Sequence, residues 1–434
     1  MRRSRHLPLR SSLALASIAV LAATGVSHAA PTATPLAVFT KLLPLHACAP
    51  GADGEVLLAG HGGLWRVDAR GRVQQRLTRL AGLPGTRVHS VLQHDKLVVV
   101  GTEAGLAVLL RGKDGALKVV ARRRGKPVRA LARHRGKLFL GRWGAGLASL
   151  RWSTIEALAR GKTTLPAPRS MAGPGARLRV TTLHVYGSAL LVGTAGKGLW
   201  HLGSAAKASL QRHPASATLP SPFVWALAAR KGQLVAATLA GLVELTPHQR
   251  WSSLSSADVR AMRSEGKDTL LLASFGKGLG RLDGAGKLRW NTRPGRFIGT
   301  LGGGQGRLCG GGKGGAFLLS RGSPLATTRI LRLASSISSN DLSALARAGD
   351  TVFLGSFDGG LTALTAGRAP RRIRGVDGRI DALCVSHRRG KPHWLWIGTM
   401  RGLYRLELAG KDKGKVRRFG RVDGLPHDHV HALA

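Results

Sequence analysis

Only 3 of the 434 residues are cysteine, too few for a disulfide-built scaffold or a Cys-x-x-Cys metal site. Aromatic residues make up 5 %, and the regular aromatic and basic interleaving of a single-strand nucleic-acid surface is missing. Acids are scarce too: 21 Asp and Glu stand against 67 Lys and Arg, a formal charge of +46. None of them forms a close carboxylate pair of the acid–base kind. There is no Gly-x-Ser-x-Gly elbow, no His-Glu-x-x-His helix and no phosphate loop ending in Lys-Ser/Thr. Beyond the first thirty residues no apolar run approaches the roughly 20 residues that a membrane span needs. The 43 % of hydrophobic residues is ample for a core and argues against wholesale disorder.

The N-terminus reads as an address. Arg2, Arg3, Arg5 and Arg10 precede an apolar stretch from Leu13 to Ala23, and small residues follow at Ser27, Ala29 and Ala30. A basic start, a short apolar centre and a small-residue exit are the pattern of a secretory signal peptide, the other reading being an uncleaved anchor. The expected organisation is a leader over 1–30 and an exported domain, periplasmic or extracellular, over 31–434. Without the leader's four arginines the charge is about +42.

What fills the rest is a repeat. An apolar residue, a variable one, a small one and another apolar one recur ten times, as in Leu45-His46-Ala47-Cys48, Val88-His89-Ser90-Val91 and Val224-Trp225-Ala226-Leu227. The third residue is Ala, Ser or Thr in all ten copies. About ten residues later comes an apolar triplet, a small residue, a glycine turn and Gly-Leu, most fully in 394–403, Trp-Leu-Trp-Ile-Gly-Thr-Met-Arg-Gly-Leu. The small residue, read at Gly60, Gly101, Gly141, Gly193, Ala237, Ala273, Gly310, Gly355 and Gly398, returns every ~42 residues, the period of propeller blades. Short Val, Leu and Ile runs between glycine turns read as strands, and unbroken apolar triplets read as strands buried on both faces. A unit of this size cannot bury both faces alone and must stack on its copies. The expectation is all-β: a β-propeller of about eight to nine blades in a single ring. The widest interval, between Gly141 and Gly193, holds Pro166, Pro168 and Pro174 and predicts a protruding loop or short helix.

The words Val-x-Ala-Leu, Leu-Trp-Ile-Gly-Thr and Gly-Leu, with Gly82-Leu83-Pro84 and Gly424-Leu425-Pro426 ahead of the next copy, resemble two-component regulator propeller repeats. The likeness runs over roughly residues 45 to 434. It implies a periplasmic ligand-binding sensor propeller, here expected without the kinase or output domain. The turns depart from that family's acidic residues, carrying His134-Arg135-Gly136-Lys137 or Lys231-Gly232-Gln233.

The variable second position of the inner strand collects the candidate channel-mouth ligands: His46, His89, Arg129, Thr181, Trp225, Arg260, Ser343, Asp381 and His431. Basic clusters on outer strands, including Arg122, Arg123, Arg124, Arg371, Arg372, Arg417 and Arg418, would draw polyanions by counterion release. Cys48, Cys309 and Cys384 fall at apolar strand positions and read as small buried hydrophobes, with a Cys48–Cys384 disulfide across the ring closure as the alternative. Gly302-Gly303-Gly304-Gln305-Gly306 reads as a hairpin turn. The sequence thus points to an exported, non-enzymatic module binding a ligand, small or polymeric and anionic by its charge, or a protein partner. No cofactor, catalytic residue or metal site is expected, and nucleic acid would bind only through non-specific charge. The alternative is a propeller lyase or hydrolase acting on a polysaccharide or cyclic ester.

Overall fold

The computed structural model describes residues 41–434 except 52–53, 163, 204–208, 247–250, 305, 314, 332–336, 366–367 and 377, and leaves out the side chains of residues 251 and 304. The leader expected over 1–30 lies outside the described residues.

Among the described residues the strands form nine four-stranded antiparallel sheets, each an up-and-down meander of four consecutive strands. Blade 1 is β1 (Leu45–Pro50), β2 (Val56–Gly60), β3 (Gly63–Val67) and β4 (Val73–Leu77). The apolar triplets are the second strands. All of Val56–Gly60 and of Leu97–Thr102 is buried, because a sheet covers each of their two faces. Where a second strand ends in Gly-Thr, the threonine fastens the next turn. Thr102 Oγ1 donates to Gly105 O at 3.1 Å and accepts from Ala104 N–H at 3.1 Å, and Thr399 repeats this with Gly402 O at 2.8 Å and Arg401 N–H at 3.0 Å. The glycine after the turn is obligatory, with φ of +127° at Gly105 and +122° at Gly402.

Two features of the inner strand recur in every blade. Its second residue has no partner on the second strand: the register passes from Leu45 to Ala47, from Val88 to Ser90 and from Val224 to Ala226. This one-residue bulge re-aims the variable side chain. Its third, small residue pairs with the small residue of the second strand, as Ser90 with Gly101 and Ala130 with Gly141. The two together leave a notch for the next blade. A Cβ on Gly101 would stand 2.7 Å from Cγ1 of Val128, one on Gly141 2.5 Å from Cγ1 of Val180, and one on Gly193 2.9 Å from Cγ1 of Val224. Register moves two of the marker positions: Ala59, not Gly60, pairs with Ala47, and Gly311, not Gly310, pairs with Thr300.

Following the notches shows where the ring closes. The inner strands pack in succession, Leu45–Pro50 on Val88–His94 and onward to Val259–Ser264 on Ile298–Gly304, and Ile298–Gly304 then packs back on Leu45–Pro50. The notch at Gly311 holds Leu45, whose Cδ1 would lie 2.5 Å from an added Cβ. The propeller reading and the nine sheets stand, but the expected single ring of eight or nine blades is corrected: the ring has seven blades, over residues 45–331. Blades 8 (342–372) and 9 (380–419) stack on each other through Leu342–Ala348 and Ile380–Arg388 and share their own core of Phe353, Leu361, Ile380, Leu395 and Ile397. With Leu45 in the blade 7 notch, the equivalent residue of blade 8, Leu342, is left 45 % exposed. Asn340 ties this pair of blades to the ring, donating to Lys41 O at 2.9 Å and accepting from Lys41 N–H at 2.7 Å.

The seam carries a disulfide the sequence reading did not assign. Cys48 on the inner strand of blade 1 is bonded to Cys309 on the second strand of blade 7, with Cα atoms 6.2 Å apart, and Cys384 is free. Gly302 makes the seam possible, since a Cβ there would collide with Cys48 O. The 302–306 glycines join Ile298–Gly304 to Arg307–Gly312 as a hairpin, with Gln305 itself outside the described residues. The wide interval contains the expected helix, Trp152–Ala159, which buries Trp152, Ile155 and Leu158 against blades 2 and 3.

Every ring blade is made of consecutive strands, so no strand from one end of the chain completes a sheet from the other. The cross-link spanning 261 residues therefore restrains the open ring. Replacing Cys48 and Cys309 together with Ala is expected to destabilise the protein by about 2–5 kcal/mol in urea. Reductant should lower the midpoint of the wild type and leave that of the double variant unchanged.

Candidate functional site

The bulge at each inner strand's second residue gathers one side chain per blade around the axis. His46, His89, Arg129, Thr181, Trp225, Arg260 and Gly299 line one mouth of the channel, at a cavity of about 350 Å³. Six of the nine candidate residues are thus brought together. The other three are not: Ser343, Asp381 and His431 belong to blades 8 and 9 and the segment after them. Ser343 Oγ is committed to Ile380 O.

A second column of side chains reaches the same mouth from the turn after the second strand of a blade. Trp143, Phe275 and Lys313 complete the cavity wall. The signal was legible, because the position two residues past the small residue is as variable as the inner-strand position and holds His61, Glu103, Trp143, Phe275 and Lys313 in blades 1, 2, 3, 6 and 7. Glu103 is set against Gly85, away from the lining.

Cations lie on rings throughout the mouth. Arg260 is 4.3 Å from the Trp225 centroid and 5.5 Å from Phe275; Arg129 is 4.9 Å from Trp143; Lys313 Nζ is 5.4 Å from Phe275 and 5.7 Å from Phe297. Such contacts hold a cation in place while leaving its outer face free for a ligand. Asp258, on the approach to the blade 6 inner strand, binds Arg260 at 2.7 Å. No carboxylate is among the described residues lining this cavity. Several lining atoms have no hydrogen-bond partner among the described residues: His46 Nε2, His89 Nδ1, Arg129 Nε and Trp225 Nε1.

The imidazoles are neutral. His46 and His89 are neighbours, ring centroids 5.0 Å apart, and His61 stands 5.0 Å from His46 on the other side. Burial first, then His61, Arg129 and Arg87, lowers His46 to about 3. Burial, then Arg129, His46, Arg87 and His61, lowers His89 to about 2. At neutral pH they offer one donor and one acceptor each, beside fixed positive charge.

The basic candidates sit where the sequence placed them, on outermost strands: Arg122, Arg123 and Arg124 in Leu117–Arg124, Arg371 and Arg372 in blade 8, and Arg417 and Arg418 in Val416–Phe419, all exposed. They surround the blades and take no part in the mouth.

No family model and no curated protein matches the chain. Solved structures do. An ancestral GH74 enzyme superposes with a TM-score of 0.60 at 13 % identity, over 89 % of this chain and 64 % of that one. PorZ, an essential bacterial surface component of the type-IX secretion system of Porphyromonas gingivalis, gives 0.51 at 14 % identity, over 88 % and 60 %. The extracellular domain of a putative hybrid two-component system from B. thetaiotaomicron gives 0.48 at 16 % identity, over 90 % of this chain and 53 % of that one. The chain therefore spans about half the length of that extracellular domain. At these identities the likeness is one of fold.

The depressed histidines give the stability a sign. Both hold folded-state values below the ordinary 6.5, so the unfolded chain binds more protons as the pH falls. Their contribution is complete above pH 6.5 and is lost as the pH falls from 6.5 to about 3 for His46 and about 2 for His89. The expected slope is on the order of 1–2 kcal/mol per pH unit for the coupled pair. Urea midpoints measured from pH 7 to 4.5 should fall less steeply in the His46→Gln/His89→Gln double variant; parallel curves would remove the account.

Proposed function

We propose that the protein is an exported, non-enzymatic binding propeller whose channel mouth takes an anionic ligand. The observation that carries this is the cavity of about 350 Å³ whose wall presents Arg129, Arg260 and Lys313 on aromatic rings without an acid among its described lining residues. A site of this size suits a small molecule or the end of a polymer rather than a protein surface. The unpartnered His46, His89 and Trp225 ring nitrogens would supply directional hydrogen bonds, and Trp225 and Trp143 a flat apolar face. Carboxylate, sulfate or phosphate groups on a ring-bearing molecule, such as an acidic sugar, match that combination.

Export is supported by the leader pattern of residues 1–30 and by the Cys48–Cys309 bond, which persists in an oxidising compartment. A sensor role is in keeping with the regulator-propeller words. The exposed arginines of blades 2, 8 and 9 would raise the local concentration of polyanions and speed capture at the mouth.

The test is a titration with uronic acid oligosaccharides and their neutral counterparts, followed by tryptophan fluorescence at 20 and 500 mM salt. Acidic oligomers should bind, weaken at least ten-fold across that range, and weaken at least ten-fold again in Arg260→Ala and in Lys313→Ala. Neutral oligomers binding equally well, or affinity indifferent to salt, would refute the reading.

A further inference from the structure

The segment after blade 9 starts another inner-strand word, and its first residue uses the same notch as every other. Val430 N–H donates to Thr399 O at 2.9 Å, and a Cβ on Gly398 would stand 3.1 Å from Val430 Cγ1. The second position of this word, His431, therefore comes beside the second position of blade 9, Asp381, as His46 comes beside His89 in the ring. Here the array brings together an acid and two imidazoles. Asp381 Oδ2 is 3.0 Å from His429 Nε2 and 4.0 Å from His431 Nδ1, and one donor atom from each residue lies within 4.8 Å of the others. The two imidazole centroids lie 3.6 Å apart, with the rings tilted 39° to one another.

We propose that Asp381, His429 and His431 form a site for one divalent transition-metal ion of the zinc class. Ligands about 2.0–2.2 Å from such an ion lie roughly 3.0–3.6 Å from one another, so the separations of 3.0 and 4.0 Å from Asp381, with all three donor atoms within 4.8 Å, require the histidines to close on the carboxylate by a side-chain adjustment. One oxygen with two imidazole nitrogens suits zinc, cobalt, nickel or copper and is too poor in oxygen for calcium or magnesium. The carboxylate is oriented for the task. Arg379 Nε donates to Asp381 Oδ1 at 2.6 Å, which leaves Oδ2 turned to the two histidines, and Arg379 is itself seated over Phe357 at 4.9 Å. Such outer partners fix the direction of a metal ligand. The Asp381 side chain is 6 % exposed, while His431, at 67 %, leaves an open side for a water or a ligand of the ion. His427 is not part of the set, since its Nδ1 accepts from His429 N–H at 2.9 Å.

The site is independent of the channel mouth, and so is its test. The full chain, prepared without a histidine tag, is titrated with Co²⁺ and followed by its visible absorption, then challenged with Zn²⁺. One Co²⁺ per chain is expected, displaced by Zn²⁺. Binding should weaken at least ten-fold in His429→Ala, in His431→Ala and in Asp381→Asn, and stay within two-fold in His46→Ala/His89→Ala, with unchanged thermal melting in the exposed His431→Ala variant. No binding at micromolar Co²⁺, or less than a ten-fold loss in any of the three ligand variants, overturns the proposal. So does a loss in the His46→Ala/His89→Ala control.

Discussion

The notch between consecutive blades is the constraint on which the rest depends. Two small residues pair across the first two strands of a blade, and a Val, Ile or Leu that opens the next inner strand fills the space above them. At Gly141 and Gly193 an added Cβ would come within 3 Å of the incoming valine, so the contact is already at packing density. A larger residue there would force blades apart at the narrow end of the wedge, where displacement is amplified toward the rim. This explains why a small residue holds the third position in all ten words while the second position varies freely. The first position is a component of the joint, and the second is left over to point at the axis.

The fold was therefore legible in its unit and less so in its closure. Strand order, glycine turns, the helix of the wide interval and the column of side chains around the channel all follow from residues within one repeat. The ring size does not, because the words of blades 8 and 9 are built as those of blades 1 to 7 are. What decides it is whether Leu45 or Leu342 occupies the notch at Gly311, and both are leucines at the same position of the same word. The structure gives the notch to Leu45 and leaves Leu342 half in solvent. Ser343, Asp381 and His431 left the predicted channel for this one reason. Cys48 and Cys309 carry the missing information, but their pairing shows only once blades 1 and 7 are adjacent.

At the mouth, the same geometry sets three cations apart from the rest of a basic chain. Of the 67 Lys and Arg only three are among the described residues lining this cavity, and the arginines on the outermost strands of blades 2, 8 and 9 are exposed, where water and salt screen them. Arg129, Arg260 and Lys313 are instead held over aromatic rings at the end of a channel, where fewer counterions reach them and their positions are fixed before a ligand arrives. Burial among these cations keeps His46 and His89 uncharged, which spares the site further repulsion and leaves two neutral hydrogen-bonding groups. Sequence reading found the inner-strand half of this arrangement and missed Trp143, Phe275 and Lys313, because a glycine-rich turn reads first as a chain reversal. In these blades the turn also faces the axis.

Blades 8 and 9 show what the notch does without a ring. They stack through Ile380 over Gly355, and Val430 over Gly398 begins the next step. The second-position column persists there, so adjacent words still bring their variable residues together, but with no further blades around an axis these residues meet a neighbour on one side only. In the ring each member of the column faces the second positions of six other blades across a channel; in the pair it forms a small cluster at the surface. The bulge that aims His46 and Arg129 at a shared cavity thus aims Asp381 toward Arg379, His429 and His431. Local backbone geometry is the same in both places, and the difference in chemistry comes from whether the array closes.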